Sequence, residues 1–480
     1  MSKINNTIIV GLDIGTTKVV AIAGRKNENN KIEILGYGQA KSAGVQHGVV
    51  RNLDHCTRAI QKALEDCKLK FPNLDFKDVY VGIAGHHIRS KQTHGVLLRE
   101  DKESTITKID VDELLKTQRK TLIPEGEEII DIIPQEFMVD NQFSTLEPIG
   151  MIGAKLAANF HTVTGNKADI KNIKRCVDNA GLNTIDLVLQ PLASAAAIMT
   201  PQDLEAGVAI IDIGGGTTDM AVFHEGVLVH TAVIPYAGSN ITDDIKKGLK
   251  ILEEQAEQLK ILHGIAIPDE AEVNRHILIP SKGHTSKEIS QKNLAHIINS
   301  RMEEIFNFVV FELKKAQMEN KLYRGIILTG GGSQLKNIVQ LCQFVTTIPT
   351  RIGIPNEHLA GEGVEVFSNP MYATCIGLIL RGFDDLENGK FDAENISNIT
   401  TTSSTTTATS PAQNFSNPSL NNKPDLFTDL GENEQQGPRP QRKMGELINV
   451  KGDGLKRIFS NLKDKFMGLF DGDEDEEELN

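Results

Sequence analysis

Two short acidic turns in this chain have the residue types expected for binding a phosphate group. The first lies in IIVGLDIGTTKVVAI, which starts at Ile8, and the second lies in VAIIDIGGGTTDMAV, which starts at Val208. In each turn an aspartate is followed by isoleucine, glycine and then Thr-Thr, between two apolar runs. Because both flanks are apolar, we predict that each turn joins two strands of a β-hairpin.

The composition of the turns predicts a magnesium-nucleotide held from two sides. Asp13 and Asp212 would repel a polyphosphate unless a cation lay between them, and Mg²⁺ is commonly held by carboxylates and phosphates together while it keeps several waters. Lys18 adds a positive charge. Glycines allow a close backbone approach, and successive amides form a concave anion site. The expected amide donors are those of Gly15, Thr16, Thr17, Gly214, Gly215, Gly216, Thr217 and Thr218.

The prediction of a nucleotide site depends on the repetition of the turn, because a single turn with Asp and Gly is more often a tight turn without a ligand. Two matched copies imply two similar domains with a cleft between them. A third glycine loop, Gly330-Gly331-Gly332, follows the strand-like GIILT. We predict that a helix follows this loop with Ser333 as its N-cap. The loop is either a plain connection or a contact with the nucleoside.

The elements around these turns indicate an α/β protein. Strand and helix patterns alternate from residue 7 to about residue 381 of the 480-residue chain, which is long enough for two or more domains. The formal net charge of -13 disfavours general nucleic-acid binding. The five cysteines are widely spaced and form no CxxC motif, so we expect reduced, buried thiols.

The last hundred residues have a different composition. Residues 384–450 are rich in Thr, Ser, Asn and Pro and are predicted to be a disordered linker. Residues 453–470 are predicted to form an amphipathic helix, which either lies on a membrane surface or docks on a protein groove. Residues 471–480 form an acidic tail. The apolar arc of the helix comprises Leu455, Ile458, Phe459, Leu462, Phe466, Leu469 and Phe470, flanked by Lys456, Lys463 and Lys465.

In order along the chain, these motifs resemble the actin/Hsp70/sugar-kinase ATPase superfamily and, within it, the family of bacterial cell-division proteins FtsA. The resemblance implies an actin-like, ribonuclease-H-like fold of two domains with two inserted subdomains. The stretches that carry it are GLDIGTTK, QPLASAAA, IIDIGGGTTDMAVF, VIPYAGSNITDDI, AEQLKILHG, TGGG and YATCIGLIL. The implied bounds are 7–85 and 166–200 for subdomain 1A, 369–383 for its closing helix, 86–165 for insert 1C, 201–239 and 308–368 for 2A, and 240–307 for 2B.

The resemblance also implies roles for single residues. Asp13 and Asp212 would hold Mg²⁺, and Gln190 would position the metal or an attacking water, with weak or absent ATP hydrolysis. Glu257 and Lys260 would contact ribose and base, although this spacing is more often a surface ion pair. Arg301 would bind the C-terminal peptide of the tubulin-like protein FtsZ, or it is a solvated helix arginine.

The expected function is that of an ATP-binding, actin-like division protein. It would polymerise on the cytoplasmic face of the membrane at the division site and tether the FtsZ ring through its terminal helix. Insert 86–165 would contact neighbouring copies and later division proteins, and no nucleic-acid partner is expected. The alternative is a small-molecule kinase of the same fold, which needs a general-base carboxylate and an acceptor pocket but no tethered amphipathic tail.

Overall fold

The computed structural model describes residues 7–70, 76–141, 143–272, 274–279 and 286–389, together with the backbone of 428–430. Among the helices of these residues, none combines the length and the apolar character needed to cross a membrane. The five cysteines all lie within these ranges and are buried free thiols, as the sequence predicts.

The first half of the chain begins with a three-stranded meander. The elements of this half that precede the insert are β1 (Ile8–Ile14), β2 (Lys18–Lys26), β3 (Ile32–Lys41), β4 (Val45–Gln46), β5 (Val49–Val50), α1 (Leu53–Lys70) and β6 (Asp78–Ile83), of which β1, β2 and β3 form the meander. The insert contains β7 (Arg89–Leu98), α2 (Lys108–Gln118), β8 (Glu127–Val139), β9 (Phe143–Thr145) and β10 (Lys155–Asn166). The first half then resumes with α3 (Lys167–Asn179), β11 (Asn183–Leu189), α4 (Gln190–Ile198) and α5 (Pro201–Ala206).

The second half repeats the meander and carries its own helical insertion. Its first elements are β12 (Val208–Ile213), β13 (Thr218–His224), β14 (Val227–Ile234), α6 (Gly238–Leu249), α7 (Glu253–His263), β15 (His276–Ile279), β16 (Lys287–Ser290) and α8 (Gln291–Lys315). The remaining elements are β17 (Ile326–Thr329), α9 (Ile338–Thr346), β18 (Thr350–Ile352), β19 (Leu359–Ala360), α10 (Val364–Phe367), α11 (Ala373–Glu387) and β20 (Thr428–Leu430).

The two main sheets share one topology. The strand order is β11-β6-β1-β2-β3-β19 in the first sheet and β14-β13-β12-β17-β18 in the second. In each sheet a central strand pairs antiparallel with the next strand of a hairpin and parallel with a later strand, β1 with β2 and β6, and β12 with β13 and β17. The predicted α/β class and the two predicted hairpins are therefore confirmed.

Helices α4 and α11 lie between the two sheets. One apolar cluster joins buried residues of both sheets with residues of these helices. The helices cross closely, because a Cβ atom at Gly377 would lie 1.7 Å from the carbonyl oxygen of Ala193. The absence of a side chain at Gly377 of α11 therefore allows the two helices to pack this closely.

The insert belongs to the first half along the chain, yet it also contacts the second half. Its four strands are ordered β7-β10-β8-β9, with a separate apolar core under α2. Three of its side chains donate hydrogen bonds to backbone carbonyls of β14, the edge strand of the second sheet. These bonds join Ser90 to Thr231, Gln92 to Val229 and Gln135 to Leu228. The insert thus covers a sheet edge whose polar groups need partners.

Several predicted boundaries differ from the structure. The loop after β17 continues as a 3₁₀ turn and α9 begins only at Ile338, so Ser333 is not the N-cap of that helix. Its hydroxyl instead donates to the Gly330 carbonyl, at 2.8 Å. The chain rejoins the first sheet at β19, before the predicted boundary at residue 368.

The predicted linker starts later than expected and is not without regular structure. Helix α11 continues to Glu387, so the start predicted at residue 384 is too early. Within the predicted linker, the backbone of Thr428–Leu430 is extended and forms β20, which pairs antiparallel with β15. Linker residues 390–427 and 431–450, the predicted terminal helix and the acidic tail lie outside the described residues.

Candidate functional site

The two acidic turns face one another across a cavity of about 60 Å³. The turns touch directly, because a Cβ atom at Gly215 would lie 2.4 Å from Thr17 Cγ2 and one at Gly216 would lie 2.3 Å from Thr16 Oγ1. The predicted site residues that line the cavity are Asp13, Gly15, Thr16, Thr17, Lys18, Gln190, Asp212, Gly214, Gly215, Gly216, Thr217, Gly330 and Gly331. The structure thus brings most of the predicted residues together.

The two turns have equal length, which the sequence pattern hides. Gly15 N–H donates to the Lys18 carbonyl and Gly214 N–H donates to the Thr217 carbonyl, both at 3.0 Å. Lys18 therefore corresponds to Thr217 in the structure. Matching the two copies by residue type would instead align Thr16-Thr17 with Thr217-Thr218. The next strand residues differ as well, since Asp212 faces Asp219 across its hairpin whereas Asp13 faces Val20.

Asp13 lies at the end of β1 and is buried. Gln190, the first residue of α4, donates from Nε2 to Asp13 Oδ1 at 2.7 Å. Burial raises the pKa of Asp13 to about 6, with Lys18 opposing this shift and Asp212 adding to it. Gln190 therefore binds the carboxylate of Asp13, and its role at the metal or at an attacking water stays a prediction.

Lys18 lies at the start of β2 and lines the same cavity. Its Nζ donates to the Met371 carbonyl at 2.8 Å and lies 5.1 Å from the ring centre of Tyr372. Burial lowers the pKa of Lys18, and the nearby Asp13 opposes this shift. The ammonium group is therefore held at the cavity wall by a carbonyl and an aromatic face, with its charge close to Asp13.

Asp212 lies at the corresponding end of β12. Ser194 of α4 donates to Asp212 Oδ2 at 2.5 Å, and Thr374 of α11 donates to the same oxygen at 3.3 Å. Burial raises the pKa of Asp212, and these two hydrogen bonds oppose the shift. The two helices between the sheets therefore orient this carboxylate.

Asp219 is a third carboxylate of the site, and the sequence reasoning missed it. It is 3% exposed and lines the cavity, and Thr217 Oγ1 donates to its Oδ2 at 2.8 Å. Its Oδ1 has no hydrogen-bond partner among the described residues. Burial raises the pKa of Asp219 to about 8, with Asp212 and Asp13 adding to the shift. The sequence signal that could have indicated this residue is a single acid within the otherwise mostly apolar run TDMAVF.

These carboxylates fit a cation that is bound partly through water. Three buried acids that repel one another, one with an unpartnered oxygen, form a site that a positive ion would stabilise. In the described part of the chain, no three His, Cys, Asp or Glu side chains are arranged as a direct metal site. Mg²⁺ often keeps several waters and binds through phosphates as well, which suits this arrangement.

Four predicted nucleotide-binding residues do not line the cavity: Thr218, Glu257, Lys260 and Gly332. Lys260 Nζ donates to the Gly238 carbonyl at 2.9 Å, to Thr242 Oγ1 at 2.8 Å and to Glu257 Oε2 at 2.7 Å. Gly238 N–H donates in turn to the Gly214 carbonyl at 3.1 Å. In this structure the Glu257–Lys260 pair therefore contacts the second turn indirectly, through Gly238, and does so outside the cavity. Its role at a ribose or base stays a prediction.

Arg301 lies on α8 and is engaged within the chain. Its guanidinium binds Asp244 through Nε at 2.6 Å and Nη2 at 3.1 Å, and Nη1 contacts Glu304. It also lies 5.4 Å from the ring centre of Tyr236. A peptide carboxylate at Arg301 would therefore have to compete with two acids of this chain, and the predicted peptide contact stays a prediction.

Two family profiles match the chain. Cell division protein FtsA matches residues 209–377, and the SHS2 domain inserted in FtsA matches residues 85–164, close to the predicted insert. Among solved structures, the PilM-PilN type IV pilus biogenesis complex is similar with a TM-score of 0.59 and 14% identity, covering 78% of this chain and 98% of that one. This likeness supports the fold alone.

Curated relatives match over most of their length. The cell division protein FtsA of Pseudomonas aeruginosa is 36% identical over 384 residues, which is 80% of this chain and 91% of the relative. That of Neisseria meningitidis serogroup B is 40% identical over 370 residues, which is 77% of this chain and 88% of the relative. With its paired sheets, facing acidic turns and SHS2 insert, this chain belongs to the actin-like cell division proteins of the FtsA family.

Proposed function

We propose that this protein binds ATP with Mg²⁺ between its halves, forms filaments on the cytoplasmic face of the membrane and anchors the FtsZ ring there. The observation that carries the nucleotide part is the meeting of two equal acidic turns at one cavity. Glycine-rich amides, Lys18 and buried carboxylates provide both donors for phosphate oxygens and a site for the accompanying cation.

Asp13, Asp212 and Asp219 would hold Mg²⁺ through water, and the ion would neutralise these acids and the phosphate oxygens. Gln190 would position a water molecule beside these acids, and its hydrogen bond of 2.7 Å to Asp13 supports this role. A glutamine orients water but removes no proton from it, so slow or absent hydrolysis is the expected behaviour.

Nucleotide binding would control the distance between the halves. The cavity of about 60 Å³ is far smaller than the roughly 300 Å³ that a small-molecule site occupies. Entry of ATP therefore requires the turns to separate, and closure over the ligand would shift the population toward one arrangement of the halves. Because insert side chains bind β14, that arrangement would also set the position of insert 86–165, through which we expect contacts with neighbouring copies and later division proteins.

The membrane part of the proposal rests on the sequence pattern of residues 453–470. Their apolar arc contains three phenylalanines and has lysines at its borders, a pattern that is typical of helices at a lipid surface. One such helix binds weakly, and a filament would present many copies together. The acidic tail that follows would weaken binding to anionic lipid.

Vesicle co-sedimentation of the full-length protein with ATP and Mg²⁺ tests this anchor. We expect the parent to sediment with phosphatidylcholine/phosphatidylglycerol vesicles and Phe466→Glu to remain in the supernatant. Met467→Glu adds the same charge outside the apolar arc and should sediment like the parent. Sedimentation of Phe466→Glu at the parental level would show that this helix is not the membrane anchor.

A further inference from the structure

A second hairpin lies beside the acidic turns and contacts both of them. It consists of β4, His47, Gly48 and β5, and we refer to residues 45–50 as the bridging hairpin. His47 and Gly48 have φ values of 46° and 77°. Positive φ at both central residues is required by the two-residue turn that best fits the twist of a hairpin. The turn places Gly48 on the cavity wall.

Each turn residue of the bridging hairpin binds a different acidic turn. Gly48 N–H donates to Thr16 Oγ1 of the first turn at 3.1 Å. His47 Nδ1 lies 3.0 Å from the Gly216 carbonyl oxygen of the second turn. Since a carbonyl only accepts, His47 carries a proton on Nδ1 in this contact. The imidazole therefore joins the first half of the molecule to the second, at the edge of the cavity.

The second turn has particular need of this contact. Gly214, Gly215 and Gly216 carry no side chains that would restrict their peptide planes. The carbonyl and N–H of one planar peptide point in opposite directions, so holding the Gly216 carbonyl also fixes the direction of the Thr217 N–H. Thr217 lines the cavity and its hydroxyl binds Asp219. His47 thereby fixes the orientation of an amide beside the carboxylates.

We propose that His47 is a positioning residue for nucleotide binding, which holds the second acidic turn against the first and slows nucleotide release. This inference rests on the proposed function, in which phosphates are bound between the turns. Because the cavity is small, the turns must separate for the nucleotide to leave, and separation of the halves breaks the bond between His47 and Gly216. Loss of the imidazole should therefore speed release.

Three full-length variants test the role of the imidazole. His47→Gly removes the donor and accepts positive φ without strain. His47→Asn keeps a side-chain donor and tolerates the left-handed region. Gln46→Ala is the matched control, since Gln46 is exposed on the same hairpin. The measurement is the dissociation rate of a fluorescent ATP analogue with Mg²⁺, chased with excess ATP in a stopped-flow instrument.

We expect His47→Gly to release the analogue about three to ten times faster than the parent, as loss of one hydrogen bond predicts. His47→Asn should stay within about twofold of the parent, and Gln46→Ala should match it. Release from His47→Gly at the parental rate would overturn the proposal. So would release from His47→Asn as fast as from His47→Gly, because the donor would then not be the cause.

Hydrogen exchange of the nucleotide-free proteins gives an independent result. The amides of residues 214–218 should exchange faster in His47→Gly than in the parent, His47→Asn or Gln46→Ala. Equal exchange in all four proteins would refute the contact between the halves. If the parent binds no nucleotide, the proposed function fails, and this measurement still decides whether His47 holds the second turn.

Discussion

The two halves of this protein meet at two polar regions of opposite character. In the cleft, Asp13, Asp212 and Asp219 are buried close together, and burial raises the pKa of each. At the second region, which we call the insert seam, side chains of the insert bind β14. There His161 Nε2 lies 2.9 Å from Thr231 Oγ1. Burial is the larger cause and the nearby His230 the smaller cause that lower the pKa of His161 to about 4.

This difference in electrostatics is the one expected between a binding site, the cleft, and a structural contact, the insert seam. In the cleft, desolvation and mutual repulsion disfavour the ionised carboxylates, so these acids lower the stability of the fold unless a cation neutralises them. In the insert seam, most of the buried polar groups are paired within the chain, so the seam needs no ligand. Substitutions in the cleft should therefore change nucleotide binding as well as stability, whereas substitutions in the insert seam should change stability alone.

The largest expected effect is that of Asp219→Asn. Loss of this carboxylate should weaken binding of Mg²⁺-ATP by about 10- to 100-fold, the range found when groups around a bound metal are replaced. The matched control is Asp178→Asn, which removes an exposed acid on α3 and should leave affinity unchanged. Isothermal calorimetry measures both, and parental affinity in Asp219→Asn would show that the third acid does not contribute.

The same variant should be more stable than the parent without nucleotide. Because the folded-state pKa of Asp219 is raised from 3.8 to about 8, the parent loses stability as the pH rises through this window. Asp219→Asn lacks this loss and should unfold at higher denaturant concentration at about pH 8. A variant that is less stable than the parent there would contradict the destabilisation that we assign to the buried acids.

In the insert seam, His161→Gln should change the pH dependence of stability in the opposite direction. The folded-state pKa of His161 lies below the unfolded value of 6.5, so the parent loses stability as the pH falls from about 6.5 toward about 4. Between about pH 7.5 and pH 5 this loss is about 2 kcal/mol. His230 and Glu312, which pair at 2.7 Å beside the seam, remain in the variant.

Denaturant unfolding at the two pH values measures this effect. His161→Gln should lose about 2 kcal/mol less than the parent between them, with unchanged nucleotide affinity. The control is His94→Gln, which alters an exposed histidine on β7 and should keep the parental pH dependence. An unchanged pH dependence in His161→Gln would place the acid sensitivity elsewhere in the molecule.

The smallest expected effect tests a single hydrogen bond of the insert seam. Gln92 Nε2 donates to the Val229 carbonyl at 3.1 Å, so Gln92→Ala should lower the free energy of unfolding by about 0.5 to 1 kcal/mol. Lys91→Ala truncates the exposed neighbour on the same strand and should have less effect. Equal stability of the two variants would show that water replaces this bond at no cost.

Local pattern made the two hairpins predictable. Apolar runs on both sides of each Asp-Ile-Gly turn are recognisable in a few residues, because alternation and turn chemistry act over short distances. The insert was predictable from a change in that pattern, and the family profile for its domain matches nearly the same residues. The alignment of Thr-Thr with Thr-Thr failed because hydrogen bonding across a turn, and not residue type, decides which positions correspond.

The sequence alone was enough to identify the α/β class, the repeated acidic turn and the family, since these depend on spacing within short segments. Folding decided which distant residues share the cavity. Ser194 and Thr374 reach Asp212 because α4 and α11 pack between the sheets, and the meeting of the two halves brings His47 to Gly216. Such contacts depend on packing between segments far apart in the chain, and no short pattern of residues records them.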